Sequence, residues 1–127
     1  MYSRQDIIRV IGDAACVARG QSYVRERRVG RVTCTAGKVW RYDADIRGHG
    51  ETYRVTFGYD LRSERFTGCS CTCPAFDRVR FGCKHVAALM LAVLEGAGDE
   101  EARRRRVEEE RRQQEDWLKR LREAQLR

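Results

Sequence analysis

Four of the six cysteines and one of the two histidines in this 127-residue chain lie between Cys69 and His85. Within that window Cys71-Thr72-Cys73-Pro74 is followed, after a loop, by Cys83-Lys84-His85. Thiolate sulfur and imidazole nitrogen are the donors that tetrahedral zinc prefers, and a structural site takes four of them with no open position. The set with the right spacing is Cys71, Cys73, Cys83 and His85, a C-x-C followed by a C-x-H. In extended backbone, residues i and i+2 share a face, so Cys71 and Cys73 present both sulfurs to one ion. Pro74 has no N–H for a ladder and ends the strand. Residues 86–94, VAALMLAVL, are apolar all round and predict a buried helix. Cys83 and His85 then stand at its entrance, where unpaired N–H groups and the positive dipole end favour thiolate. Two strands and a helix start clamped by one ion make a ββα-like finger.

Other uses of these thiols are weaker. Six cysteines could form disulfides, but the opening Met1-Tyr2-Ser3-Arg4-Gln5-Asp6 lacks a signal peptide's apolar core. A chain kept in a reducing, cytoplasmic setting uses clustered Cys and His for metal. Cys83 and His85 as nucleophile and base would compete with metal ligation for both groups. Cys69 shares the strand parity of Cys71 and Cys73. It is read as a packed strand thiol, with a Cys69/Cys71 ligand pair the alternative.

The C-x-C, variable loop and C-x-H resemble the SWIM zinc-finger family, matched by Cys71, Cys73, Cys83 and His85 one for one. Pro74, Lys84 and the apolar helix after His85 strengthen the likeness. A looser likeness over residues 15–95 resembles the module found ahead of bacterial Swi/Snf-type ATPases. The resemblance implies one structural Zn2+ and a role in binding DNA or protein, beside a motor or recombination machinery.

Formal net charge is +7, which suits an anionic partner. The excess belongs to residues 1–98, with 16 Lys+Arg against 10 Asp+Glu, whereas 99–127 carry 10 against 9. Three thiolates on one Zn2+ contribute −1, leaving about +6. No apolar run reaches the roughly 18 residues that a membrane crossing needs, so no membrane partner is expected.

The expected fold class is α+β: an N-terminal helix, a four-stranded antiparallel meander, the zinc-clamped finger and a long charged C-terminal helix. Residues 1–98 form the zinc-binding domain, with the finger at about 66–95, and 99–127 a helical tail or connector. Ser3 caps the first helix in a box with Asp6, and Ile7, Ile8, Ile11, Ala15 and Ala18 make one apolar stripe running towards Gly20. Gly20 interrupts or ends that helix. Strands are expected over Val29–Ala36, Val39–Arg47, Tyr53–Leu61 and Arg65–Cys71, with a hairpin at Gly48-His49-Gly50. Trp40, Tyr42, Tyr53, Phe57 and Tyr59 alternate with charges, as core residues do. The tail has no glycine or proline and is rich in acid-before-base pairs such as Asp116/Arg120.

The candidate phosphate contacts are Arg78, Arg80 and Lys84 around the finger, with Arg25, Arg27, Arg28 and Arg31 as a second cluster. Nucleic acid, DNA foremost, is the expected partner. The alternative is a protein-interaction module docking a partner, such as a Swi/Snf-type ATPase, through the finger or the tail. No phosphate-binding G-x-x-x-x-G-K-[ST] loop is present, and four protein ligands close the zinc. No enzyme activity or small-molecule substrate is expected.

Overall fold

The computed structural model describes residues 2–76 and 83–125, with the side chains of 100–103, 105 and 106 left aside. The elements run α1 (Arg4–Ile11), α2 (Ala14–Arg25), β1 (Thr33–Thr35), β2 (Val39–Arg47), β3 (Thr52–Asp60), β4 (Arg65–Cys71), α3 (Lys84–Leu94) and α4 (Asp99–Gln125). The four strands form one antiparallel meander in the order β1-β2-β3-β4. The fold is α+β, as the alternation and helical runs implied.

Ser3 closes the capping box: its hydroxyl accepts from the Asp6 amide at 3.2 Å, and its own amide donates to the Asp6 carboxylate at 2.9 Å. The single helix expected up to Gly20 is in fact two. Gly12 takes a left-handed φ of 80° and its amide returns to the Ile8 carbonyl, ending α1. Asp13 then caps α2 by accepting from the Ala15 amide at 2.9 Å. The restart rotates the buried face. Ile7 and Ile11 are inside, but Ala15 and Ala18 are exposed, and Cys16, Val17, Gly20 and Tyr23 turn inward instead.

Gly20 lies within α2, neither interrupting nor ending it. A Cβ there would stand 2.8 Å from the Ala88 nitrogen and 2.9 Å from the Lys84 oxygen. Glycine thus lets α2 touch the backbone of α3. Covered by α1 and α2 on one side and by the sheet on the other, α3 is buried from His85 to Val93. That sandwiching is why its sequence is apolar on every side.

The inner sheet face carries Cys34, Tyr42, Ala44, Ile46, Val55, Phe57 and Tyr59, all buried. Tyr42 stacks on Phe57 at 5.1 Å, and Phe66 meets Tyr59 edge-on at 5.0 Å. Tyr2 plugs this aromatic cluster from the N-terminus and donates its hydroxyl to the Met90 carbonyl at 2.6 Å. The outer face is polar. Arg54 reaches the carboxylates of Asp45 at 3.3 Å and Asp43 at 3.8 Å. Two strand expectations shorten. The stretch Val29–Ala36 pairs only over β1 and through one bridge from Val29 to Ile46, and Leu61 falls in an exposed turn.

The β3–β4 ladder slips between Thr56 and Gly58: Thr56 pairs with Ser70, but Gly58 pairs with Thr67. Two residues of β4 face one of β3 there, and Gly68 has φ 61°, the signature of a glycine bulge. Side-chain parity changes at this point. Phe66 points inward before the bulge and Cys69 after it.

Candidate metal centre

The chain from the bulge to α3 assembles the donors. Thr72 stays tied to β3, its amide donating to the Arg54 carbonyl and its hydroxyl accepting from the Arg54 amide. Cys71 is therefore the last strand residue, and Cys73 lies just beyond, in a turn where the Phe76 amide reaches the Cys73 carbonyl. Cys83 is the N-cap of α3, its sulfur accepting from the His85 amide at 3.3 Å. Cysteine occupies the position where Ser, Thr or Asp usually sits, so one sulfur both caps a helix and faces the cluster.

The four donor atoms of Cys71, Cys73, Cys83 and His85 lie within 4.8 Å of one another. The Cys73 and Cys83 sulfurs are 3.3 Å apart, and His85 Nδ1 stands 3.3 Å from Cys83 Sγ and 3.7 Å from Cys71 Sγ. Tetrahedral Zn–S bonds of about 2.3 Å imply ligand separations of roughly 3.5–3.8 Å, so these three pairs fit zinc within a few tenths of an ångström, and a donor pair at the 4.8 Å limit would close by about 1 Å. Its members are buried, apart from half-buried Cys71.

The His85 ring is set between Tyr53, at 4.6 Å, and Tyr23, edge-on at 5.2 Å. Nε2 is buried and has no hydrogen-bond partner among the described residues. Among the described residues the polar interaction of the ring is the one that Nδ1 makes with the sulfurs of Cys71 and Cys83, which makes Nδ1 the ring atom placed to ligate a metal. The thiols compete for their protons. Hydrogen bonding from Cys71 holds Cys83 down to about 4, against the effect of burial, and the same pairing pushes Cys71 up. Burial pushes Cys73 up. Three crowded thiols cannot all ionise unaided, and a divalent cation supplies the charge that lets them do so.

Cys69 is excluded from this group. It is 7 % exposed in the core behind β4, and burial raises its thiol to about 11. Cys34 is likewise buried on β1.

The cationic candidates divide. Arg78 and Arg80 lie outside the described residues. Lys84 opens α3, with its ammonium 5.5 Å from the Tyr23 ring centre. Arg28 braces the fold: it meets Glu26 at 2.6 Å, donates to the Gly48 carbonyl at 3.1 Å and lies over Tyr23. Arg25 and Arg27 are exposed at the end of α2, and Arg31 is exposed before β1.

Two residues beside the cluster were not anticipated as such. Cys16 and Arg19 join Cys73, Ala75, Cys83, Lys84 and His85 around a small open cavity of about 120 Å³. They sit one helical turn apart on α2, but their bearing on the finger depends on the α2–α3 contact at Gly20, which no local pattern reveals.

Residues 53–94 match the SWIM zinc-finger family. Comparison with curated proteins and with solved structures gave no match. The matched stretch begins in β3, takes in β4 and the Cys3His cluster, and ends with α3, so residues 53–94 have both the sequence and the ligand geometry of a SWIM-type zinc finger.

Proposed function

We propose that this chain is a zinc-stabilised nucleic-acid-binding module, with DNA the favoured ligand, acting beside a DNA-acting motor of the Swi/Snf type or recombination machinery. The observation that carries this reading is the pair of cations at the finger: Lys84 and Arg19 border the cavity next to the cluster, at the N-terminal end of α3. Exposed Arg25 and Arg27 extend the basic surface along the end of α2, and the net charge of +7 adds long-range attraction. A helix N-terminus with flanking cations suits a phosphate. Arg78 and Arg80 are the loop's candidate additions. Four protein ligands fill a tetrahedral zinc and leave no position for substrate, so in this reading the zinc is architectural and not catalytic. Its thiols suit a reducing cytoplasm.

The test is fluorescence anisotropy of the zinc-loaded chain with a short DNA duplex over a salt series. Binding should weaken steeply with salt, and a triple Arg25, Arg27 and Lys84 to Ala variant should flatten the log–log slope by about one for each phosphate it no longer engages. No binding at low salt, or a slope near zero, overturns the proposal. A second reading, a protein-interaction module, is favoured by the exposed Trp117, Leu118 and Leu121 of α4. It calls for a salt-tolerant complex anchored on an aromatic side chain.

A further inference from the structure

Among the described residues six large apolar side chains are exposed, and four belong to α4: Val107 (62 %), Trp117 (56 %), Leu118 (43 %) and Leu121 (39 %). Every other aromatic side chain described lies in the core or packs against it. Trp117 is the exception, on a helix whose remaining described surface is almost wholly polar. The four residues share a stripe. Val107 and Leu118 are about three helical turns apart, Leu121 follows Leu118 by i+3, and Trp117 flanks them on one edge.

The charges around this stripe have a polarity. Glu115 and Asp116 precede Trp117-Leu118, and Lys119, Arg120 and Arg122 follow it. A second copy laid parallel would face acid with acid and base with base. Glu115 and Arg122 lie on one flank of the stripe, whereas Asp116 and Lys119 lie on the far side of the helix; laid antiparallel, a second copy sets Glu115 of each chain against Arg122 of the other. Nothing within the helix consumes these charges strongly. Asp116 meets Arg120 at 3.8 Å and Glu115 meets Arg111 at 3.9 Å, with all four side chains about two-thirds exposed, and such pairs contribute little.

We propose that α4 is a self-association surface, pairing antiparallel with α4 of a second copy of this chain through Trp117, Leu118 and Leu121. The near-neutral balance of the tail permits such an approach, where the +6 excess of residues 1–98 would oppose one. With three large apolar side chains per copy at its centre, the interface is smaller than that of an obligate dimer. Its dimer is therefore concentration-dependent, and its charged rim makes it sensitive to salt.

Sedimentation equilibrium of the full zinc-loaded chain, up to roughly 100 µM at low salt, tests this. The chain should dimerise, and Trp117→Ala should weaken the dimer at least about tenfold. Glu115→Lys should also weaken it, as should Arg122→Glu. Combining the two reversals restores the antiparallel complementarity, so that variant should recover to within about threefold of the parent. A monomeric parent overturns the proposal and leaves the stripe to another protein. A dimer indifferent to Trp117→Ala places the contact elsewhere. Failure of the double variant to recover refutes the antiparallel arrangement, provided circular dichroism shows its helix intact.

Discussion

Replacing Gly20 by alanine probes the link between α2 and the metal cluster. In an ordinary exposed helix interior the change stabilises by about 1 kcal/mol, because glycine has more backbone entropy to lose. Here the new Cβ would lie 2.8 Å from the Ala88 nitrogen, 2.9 Å from the Lys84 oxygen and 3.0 Å from the Ala87 Cβ. Two of these atoms are backbone and cannot swing aside, so the helices must separate by roughly half an ångström or more to restore ordinary contacts. Overpacking of this kind costs about 1–3 kcal/mol, outweighing the propensity gain at all but the lowest end of that range. The displaced backbone belongs to the first turns of α3, which carry Cys83 and His85, so zinc affinity should fall along with stability. Urea unfolding of the zinc-loaded protein should show a lower midpoint for Gly20→Ala. Competition with a chromogenic chelator should show a weaker zinc complex, about tenfold for each 1.4 kcal/mol transmitted to the site. Gly37→Ala, where the added Cβ would have only a 3.7 Å neighbour, is the control and should shift neither. A Gly20→Ala midpoint at or above that of the parent would refute the close approach of α2 and α3.

Cys73→Ser or His85→Ala should lose the metal and most of the structure together, since site formation and folding are coupled. Cys69→Ala should keep one zinc per chain in native mass spectrometry while losing only about 1 kcal/mol or so of packing. Tyr2→Phe should cost about 1 kcal/mol through its hydrogen bond to Met90, and Tyr2→Ala about 3–5 kcal/mol as the aromatic cluster opens; denaturant midpoints measure both. Asp6 and Asp60 are held below the usual carboxylate value of 3.8, by the Ser3 amide and hydroxyl and by the Arg62 and Ser63 amides respectively. A depressed pKa adds stability that is fully present above the unfolded value and is lost as pH falls through the folded one. Asp6→Asn and Asp60→Asn should therefore narrow the gap between stability at neutral pH and at pH about 3–4, and an unchanged acid profile would count against these caps.

Patterns with a short physical reach were legible in the sequence. The ligand spacing, the Ser3–Asp6 box, the alternation over β2 and β3 and the apolar run of α3 each depend on residues a few positions apart. What escaped depends on tertiary contact. The stripe from Ile7 to Ala18 reads as one helix because alanine suits either face, yet Gly12 followed by Asp13 is a stop and a start. Gly20 looks like a breaker until α3 is laid against it. Cys16 and Arg19 reach the metal centre only through that same contact. Tyr2 gave no local hint that it would be core. Its burial comes from an aromatic cluster drawn from β3 and β4, more than fifty residues away.

The glycine bulge at Gly68 acts as a phase shifter between two readings of one strand. Upstream, even-numbered Phe66 serves the core; downstream, odd-numbered Cys69 and Cys71 are turned the same way. Deleting one residue there would leave the composition nearly untouched yet swing the first zinc ligand to the solvent side. The packing of the sheet and the aim of the finger are thus indexed independently, and a single unpaired position keeps the two in step.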